Sequence, residues 1–405
     1  MTDGGHWLTI LGIGEDGVEG LSDVARRALG EAAAVFGGAR HIALAAPLLR
    51  GEAISWPARL KTAIPAILAR RGEKIVVLAS GDPFCFGIGS LLAECVPLDE
   101  MRCLPAPSAF SLACARLGWA LQKTALLSFC GRPLDALPPF LQPNARILAL
   151  SADATTPGAI AALLTRRGFG KTRLVVLEAL GGKDERIRET AAETFAWNDI
   201  NPLNLTALEI IPNPDAAIIP RTPGRAESFF EHDGQITKHE IRAIALAALA
   251  PKRGELLWDI GAGSGAISIE WMLADPANHA IAIESHPERA ARIARNAQAL
   301  GVPTLEIRNG RAPEALARLP APNAVFIGGG ARQPEVIETA WNALPAGGRL
   351  LAHGVTLESE TALAHAYQRL GGQMTRIHLE RLEPLGSLHG FRPAMPVTQF
   401  LAHKP

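Results

Sequence analysis

Short apolar runs alternate with longer alanine-rich stretches along almost the whole chain. Runs such as Ile75–Ala79 and Ala280–Glu284 are mostly apolar at consecutive positions, which is typical of buried strands. Stretches such as Ser22–Ala34, Thr237–Ala250 and Glu288–Leu300 place apolar residues at helical spacing, which is typical of amphipathic helices. Strands and helices in alternation predict α/β domains with largely parallel sheets.

The end of the chain departs from this alternation. Two strand-like runs, Met374–Leu382 and Pro396–His403, follow one another with no helical stretch between them. Because their connection is too short for a crossover, we expect them to pair antiparallel. The second half of the chain is therefore predicted to form a Rossmann-like, doubly wound sheet that ends in an antiparallel hairpin.

A proline-rich stretch divides the chain in two. Four prolines fall between Pro212 and Gly224, where they stiffen the backbone and prevent regular strand pairing. The 405 residues are enough for two domains with full cores. We predict a first domain over residues 1–212, with lobes of about 1–120 and 121–212, a linker over 213–230 and a second domain over 231–405.

Composition narrows the choice of partners and compartment. The 40 basic and 40 acidic residues balance, so no overall field favours nucleic acid or a membrane surface. The ends show no signal pattern and no apolar run reaches the roughly 20 residues of a spanning helix, so we expect a cytoplasmic protein. The five cysteines are odd in number and form no C-x-x-C pair. Free thiols are therefore favoured over disulfides or a zinc site, and we expect no bound metal.

A glycine-rich loop in the second domain points to a particular ligand. The strand Leu256–Ile260 is followed at once by the turn G-A-G-S-G and a helical run. Glycine at Gly261, Gly263 and Gly265 lets the backbone approach a ligand that a Cβ would push away. A helix start attracts phosphate, but the carboxylate of Asp259 beside the turn would repel a pyrophosphate. S-adenosylmethionine has no phosphate and carries an ammonium and a sulfonium, so the loop predicts methyl transfer.

Three later strand ends supply further candidates for this site. The next strand ends in Glu284, whose carboxylate suits the two hydroxyls of a ribose. The following strand ends at Gly310–Ala312, which we expect beside the adenine, although Gly310 and Ala312 fit a plain turn nearly as well. The fourth strand ends at Gly328–Gly329, and Gly328 and Gly329 leave an open rim for a bulky substrate.

Three segments of the second domain carry a family resemblance. They read D-G-Q-I-T-K-H-E-I-R at 233–242, D-I-G-A-G-S-G-A-I-S-I-E-W at 259–271 and I-E-S-H-P-E-R at 283–289. As a set they resemble the C15-methylating, decarboxylating methyltransferases of corrin biosynthesis, over about Glu231 to Thr356. The chain departs from that family at 353–356, where it reads H-G-V-T instead of the frequent N-A-V-T.

The resemblance implies a tetrapyrrole substrate with many acetate and propionate carboxylates. His239, Glu240 and His353 are the candidates for a decarboxylation acid, and no observation favours one of them. A capping box between Thr237 and Glu240 is the structural alternative, and we expect it to form. Basic residues are candidates to bind the carboxylates, although each fits a surface charge equally well. They are Lys238, Arg242, Arg332, Arg376, Arg381 and Arg392.

The first domain contains another glycine loop, G-I-G-E-D-G at 12–17. It matches the dinucleotide pattern G-x-G-x-x-G, but its two acids oppose a pyrophosphate and no acidic strand end follows at about twenty residues. The later motifs S-G-D-P at 80–83, A-P-S-A at 106–109 and N-P-L-N at 201–204 are more specific. In this order they resemble the class III tetrapyrrole methylases, in the C5-methylating branch, over about Leu8 to Ile210. The glycine loop lacks the G-P-G-D form that is common in that family.

The second resemblance implies donor-binding residues in the first domain. They are Gly12, Gly14, Gly81, Asp82, Pro83, Ser108 and Ala109. For Asp82 the structural alternative is a helix N-cap, and for Gly81 and Pro83 it is turn geometry.

Together the two resemblances imply one enzyme. It would methylate C5 and C15 of precorrin-6B and remove the carboxyl of the C12 acetate, giving precorrin-8, with one S-adenosylmethionine site in each domain. We expect a homo-oligomer, either a dimer or a tetramer, with no nucleic-acid or membrane partner. An NAD(P)-dependent oxidoreductase would explain the first loop but not Asp259. An RNA methyltransferase would share the second fold, but a chain with one tyrosine and no net charge lacks the expected basic, aromatic stripe.

Overall fold

The computed structural model describes residues 6–56 and 62–405. Contacts group the chain into two compact units, Met1–Arg132 with Gln142–Ala217, and Pro133–Leu141 with Ile218–Pro405. We call them the first and the second unit. Within the described ranges, none of the helices combines the length and the apolar character needed to cross a membrane.

The first part of the first unit is a five-stranded parallel sheet with helices. Its elements are β1 (Leu8–Ile13), α1 (Asp23–Gly30), β2 (Ala34–Gly37), α2 (Ala39–Ala45), β3 (Glu52–Ser55), α3 (Ile64–Leu68), β4 (Ile75–Ser80), α4 (Ile88–Ala93), β5 (Met101–Leu104) and α5 (Ala109–Leu117). The strand order is β3-β2-β4-β1-β5, and all neighbours pair parallel. Side chains of β1 and β4 enter two hydrophobic cores, which is why these strands are apolar at consecutive positions.

The rest of the first unit is a mixed sheet. Its elements are β6 (Thr124–Ser128), β7 (Arg146–Leu150), α6 (Thr156–Arg166), β8 (Arg173–Glu178), β9 (Arg186–Ala191) and β10 (Asn204–Glu209). The order is β6-β7-β10-β8-β9, in which only β6 and β7 pair parallel. The last strand, β10, enters between β7 and β8, and its first five residues are buried there.

The second unit is a doubly wound sheet with helices on both faces. Its elements are α7 (His239–Leu249), β11 (Leu256–Ile260), α8 (Ala266–Ala274), β12 (His279–Glu284), α9 (Pro287–Leu300), β13 (Glu306–Asn309), β14 (Ala324–Ile327), α10 (Pro334–Ala343), β15 (Arg349–Gly354), α11 (Leu357–Leu370), β16 (Gln373–Ile377), β17 (Glu380–Leu385), β18 (Leu388–Pro393) and β19 (Val397–His403). The order is β13-β12-β11-β14-β15-β19-β16, with parallel pairing as far as β15. One core packs α7, α8 and α9 against the sheet, and the other packs α10 and α11.

The antiparallel end of this sheet is confirmed, with one addition. The strand β19 pairs antiparallel with both β15 and β16. The predicted strand Met374–Leu382 is wrong as a single element, because β16 ends at Ile377 and β17 begins at Glu380. The strands β17 and β18 pair only with each other and form an inserted hairpin whose residues are largely exposed.

Two helix boundaries differ from the prediction. The predicted helix Ser22–Ala34 ends at Gly30, because Ala34 already begins β2. The predicted capping box of Thr237 and Glu240 is wrong, since α7 begins at His239 and has no side-chain cap from its own N-cap residue. The carboxylate of Glu227 instead accepts a hydrogen bond from the backbone N–H of His239 at 3.1 Å. That partner lies twelve residues upstream, where a local capping pattern does not reveal it.

Candidate active sites

The second unit contains a cavity of about 830 Å³ above one edge of its sheet. The C-terminal ends of β11, β12 and β14 lie at this edge and bring Asp259, Glu284 and Gly328 to the cavity. The strand order reverses between β11 and β14, and ligands of open α/β sheets bind at such a switch point. The sheet therefore places the predicted donor-site residues where a ligand is expected.

The glycine loop between β11 and α8 has a backbone that requires glycine. Gly261 and Gly263 have φ values of +73° and +59°, in the left-handed region. A Cβ at Gly261 would lie 2.7 Å from the backbone nitrogen of Gly329, so this loop and the one after β14 approach closely beside the cavity. Gly265 is the N-cap of α8 and does not line the cavity, and a Cβ there would clash with Ile293.

Asp259 offers one unused carboxylate oxygen at the cavity. Its side chain is fully buried, and its Oδ2 accepts hydrogen bonds from the hydroxyl of Ser268 at 2.6 Å and from the backbone N–H of Ser268 at 3.1 Å. Its Oδ1 has no hydrogen-bond partner among the described residues. Burial raises the pKa of Asp259 to about 6, and the nearby charge of Glu284 adds to the rise. A cationic ligand beside Oδ1 would satisfy this oxygen and favour its charge.

Glu284 is held in place by the backbone. Its Oε2 accepts a hydrogen bond from the N–H of Gly263 at 2.9 Å, and its Oε1 accepts one from the N–H of His286 at 2.9 Å. Each oxygen keeps a second acceptor position, so the carboxylate can accept two neighbouring hydroxyls. Gly310 and Ala312, the residues expected beside the adenine, also line the cavity, as do Gly328 and Gly329.

The rim of the cavity is basic. Lys238, Arg311 and Arg332 line it, are exposed, and have no ion pair within 4.0 Å among the described residues. Two further arginines of the lining are paired, Arg289 with Asp233 at 2.9 Å and Arg381 with Glu240 at 2.6 Å. Sequence reasoning placed Arg311 only within the segment beside the adenine and missed it as a cation of the rim.

Several predicted substrate and acid residues lie away from the cavity lining. Arg242 is fully buried, and its guanidinium donates to Glu270 at 2.8 Å and to the backbone carbonyls of Thr237 and Arg225. These contacts give Arg242 a structural role beneath the cavity, which corrects its assignment to substrate binding. His239 and Glu240 contact each other at 3.1 Å, and neither lines the cavity. Arg376 and Arg392 do not line it either, and they pair with Glu360 and Glu383.

His353 is the predicted acid candidate that does line the cavity. It is 9% exposed, its Nε2 lies 3.0 Å from Oε1 of Gln399, and its ring packs edge-on against Phe326. Burial lowers the pKa of His353, so the imidazole is neutral at physiological pH. The wall beyond it is apolar and is formed by Val355, Leu379, Met395 and Val397.

The first unit contains a cavity of about 330 Å³. Of the predicted donor-site residues, Gly14, Gly81, Ser108 and Ala109 line it, whereas Gly12, Asp82 and Pro83 do not. The side chain of Asp82 accepts a hydrogen bond from the backbone N–H of Phe84 at 2.9 Å, which closes a turn. The N-cap alternative for Asp82 is wrong, since α4 begins at Ile88 with Gly87 as its N-cap.

A cluster of polar side chains that sequence reasoning missed also lines this cavity. Glu15 follows β1, Arg40 and His41 lie in the first turn of α2, and Ser80 ends β4. Arg40 forms an ion pair with Glu15 and donates to the hydroxyl of Ser80 at 2.8 Å. Nε2 of His41 lies 2.8 Å from Oγ of Ser80. The available signal was the Arg-His pair directly after a short apolar run.

The residues that line the cavity of the second unit fit S-adenosylmethionine. The unused oxygen of Asp259 suits a cationic group, the fixed carboxylate of Glu284 suits the ribose hydroxyls, and no phosphate is required.

Comparisons with known proteins agree with this fit. The family model of tetrapyrrole (corrin/porphyrin) methylases matches residues 8–196, and the model of the precorrin methyltransferase domain matches residues 228–404. The chain is therefore a methyltransferase built from two methylase domains, with S-adenosylmethionine as its methyl donor.

The relatives identify the family more closely. A precorrin-6Y C(5,15)-methyltransferase [decarboxylating] from Sinorhizobium sp is 54% identical over 394 residues, which are 97% of this chain and 95% of that protein. The chain belongs to the family of decarboxylating precorrin-6Y C(5,15)-methyltransferases. A cobalt-precorrin-7 C(5)-methyltransferase from Salmonella typhimurium is 36% identical and aligns with 44% of the chain and 88% of its own length. A probable cobalt-precorrin-6B C(15)-methyltransferase (decarboxylating) from Pyrobaculum calidifontis is 34% identical and aligns with 40% of the chain and 85% of its own length.

Proposed function

We propose that the chain methylates C5 and C15 of precorrin-6B and removes the carboxyl of the C12 acetate, giving precorrin-8, with one S-adenosylmethionine bound in each unit. The observation that carries this proposal is the pair of separate cavities, one in each unit, both lined by glycine loops at strand ends. Relatives named for the C5 and the C15 reaction alone each align with less than half of the chain. A chain with both reactions needs both cavities.

We assign C15 methylation and decarboxylation to the second unit, and C5 methylation to the first. C15 and the C12 acetate are neighbours on one side of the macrocycle, so a single binding pose in one cavity reaches both. C5 lies across the ring and requires the substrate to be turned or bound elsewhere. The cavity of about 830 Å³ has room for a donor together with part of a macrocycle, which supports placing the two neighbouring reactions there.

The bound donor supplies an electrophilic methyl group on a sulfonium, and the residues of the second unit align it. Asp259 is placed to contact a cationic group of the donor and Glu284 its ribose, and the loops at Gly261 and Gly329 approach closely beside them. Methyl transfer to a nucleophilic ring carbon is an in-line displacement without a covalent enzyme intermediate. Alignment and exclusion of water therefore contribute most of the rate.

The basic rim and the apolar wall of this cavity together favour decarboxylation. Lys238, Arg311 and Arg332 are placed to bind the acetates and propionates that stay on the ring. Arg381, which lines the cavity two residues after Leu379, is paired with Glu240, so the wall at Val355 and Leu379 offers no unpaired cation to the carboxylate that leaves. A carboxylate that loses its water there without gaining a partner is destabilised relative to neutral carbon dioxide. The ring accepts the electron pair of the broken carbon–carbon bond, and the methylene group left behind takes up one proton to become a methyl group. His353, neutral beside this wall, adds no charge that would retain it.

The proposal is tested on the full chain with purified precorrin-6B and methyl-labelled donor. We expect two labelled methyl groups per product and one released carbon dioxide, together with two donor sites in a calorimetric titration. The variant Asp275→Asn is a control that should keep both donor sites and both reactions, because this acid lies at the end of α8, outside the cavity lining. A single donor site, or a product that keeps every carboxyl group, would contradict the proposal.

A further inference from the structure

The polar cluster in the cavity of the first unit brings together groups from three strand ends of one parallel sheet. Glu15 follows β1, Arg40 and His41 follow β2, and Ser80 ends β4. This is the C-terminal edge of the sheet, where the glycine loop at Gly14 also lies. The cluster therefore lies in the cavity beside the glycine loop, where the proposed function places the donor.

The contacts within the cluster fix the protonation state of His41. Nη2 of Arg40 lies 3.0 Å from Nε2 of His41, and a guanidinium only donates hydrogen bonds. Nε2 therefore carries a lone pair and the single ring proton lies on Nδ1, which is buried and has no hydrogen-bond partner among the described residues. Burial, and then the charge of Arg40, lower the pKa of His41 to about 4, so the ring stays neutral at physiological pH.

Ser80 connects this lone pair to the cavity. Its hydroxyl oxygen accepts a hydrogen bond from Arg40 at 2.8 Å, and its own proton shares the single lone pair of Nε2 of His41, at 2.8 Å, with the N–H of Arg40. Ser80 is exposed, whereas His41 is partly buried behind it. Glu15 pairs with Arg40 and offsets its positive charge. The hydroxyl of Ser80 therefore lies at the cavity, and Nε2 of His41 lies behind it as a base.

We propose that Ser80 and His41 remove the proton that the meso carbon loses when the first unit methylates it. This inference rests on the proposed function of the first unit. A meso carbon begins with one hydrogen and ends with a methyl group in its place, so the reaction releases one proton for each methyl transferred.

The electrons balance in two steps. In the first step a ring π pair forms the new carbon–carbon bond, and the broken carbon–sulfur bond leaves its pair on the donor sulfur. In the second step the pair of the carbon–hydrogen bond returns to the ring and the proton passes to Oγ of Ser80. The proton that Ser80 already carries moves to Nε2 of His41 at the same time. The ring cation formed in the first step is a strong acid, so a weak base is sufficient to accept its proton.

The experiment measures single-turnover C5 methylation by the full chain, with substrate that carries hydrogen or deuterium at C5. The variants are Ser80→Ala and His41→Ala, with His365→Ala as a control at an exposed position of α11. In both cluster variants we expect the rate to fall on the order of 10²-fold, because general acid–base groups typically contribute that much. We also expect a primary isotope effect that the wild type lacks, and partial rescue of His41→Ala by added imidazole.

Controls within the same chain separate proton removal from misfolding. The donor affinity of the first unit, C15 methylation and carbon dioxide release should not change in either variant. An unchanged C5 rate would overturn the inference, and so would a rate loss without an isotope effect or imidazole rescue. If the wild type does not methylate C5, the proposed function of the first unit fails and the inference fails with it.

Discussion

Asp259→Asn should make the second unit more stable and a weaker binder of the methyl donor. Asp259 is fully buried, and burial raises its pKa from 3.8 to about 6. The substitution keeps the shape of the side chain, and the amide oxygen of asparagine can still accept both hydrogen bonds from Ser268. What changes is the charge and the group at the unused Oδ1 position.

The expected stability difference between the variant and the wild type follows from the pKa shift of Asp259. Between pH 3.8 and about 6 the folded chain binds more protons at Asp259 than the unfolded chain does, so stability falls as pH rises through this window. Above this window Asp259 is charged in the folded chain, and its burial lowers the free energy of unfolding by about 3 kcal/mol for a pKa shift of roughly two units. The variant should therefore match the wild type near pH 4 and exceed it by up to about 3 kcal/mol at pH 7.5 without donor.

Donor binding should change in the opposite direction. Loss of a hydrogen bond to a charged group costs roughly 1.5–3 kcal/mol, which is on the order of a 10- to 100-fold weaker affinity. The assay is hydrogen exchange of the amides in β11 and β14, in urea and at pH 4 to 8, together with calorimetric titration of the donor. Local exchange is needed because a chain of two units does not unfold in one step.

Asp275→Asn is the control for this prediction, because this acid is partly exposed and lies outside the cavity lining. It should change neither the pH profile nor donor affinity. Equal stability of Asp259→Asn and the wild type at every pH, combined with unchanged donor affinity, would refute the reasoning.

Three other predictions follow from the same structure. Glu284→Ala should weaken donor binding in the second unit more than Asp259→Asn does, on the order of 100-fold in calorimetry. The substitution removes an acceptor of two hydroxyls and the hydrogen bond that holds Gly263, and equal affinities of the two variants would contradict this prediction. Lys238→Ala, Arg311→Ala and Arg332→Ala should each raise KM for the tetrapyrrole about tenfold without changing donor affinity, whereas Arg376→Ala should have no effect. Cutting the chain within Pro212–Gly224 should leave two folded pieces that each bind one donor, and a cut chain that binds fewer than two donors would show that the boundary is misplaced.

Local sequence predicted well which residues of the second unit meet at one edge of its sheet. Asp259, the glycine loop and the start of α8 are contiguous in the chain, and Glu284 follows the next strand, so strand order alone brings these residues to one edge. The antiparallel end of the sheet was also predictable, because the length of the connection between strands decides it.

Residues whose surroundings come from distant parts of the chain were not predictable in this way. Arg242 resembles a surface cation in sequence, but Glu270, 28 residues away, pairs with it in the interior. The strand β10 enters the middle of a sheet whose other strands precede it, which a pattern of alternating elements does not reveal. Arg40 and Ser80 are 40 residues apart and meet only because their strands, β2 and β4, are neighbours.

The most direct test of the division of labour is mass spectrometry of products from two full-length variants, each with one cavity disabled. Asp259→Asn combined with Glu284→Ala weakens donor binding in the second unit, and Ala109→Trp fills the cavity of the first unit. At limiting donor, the Ala109→Trp chain should give a product with one added methyl group and one carboxyl group lost. The double variant should release no carbon dioxide. A product of the double variant that has lost a carboxyl group, or a product of the Ala109→Trp chain that has kept them all, would contradict the assignment.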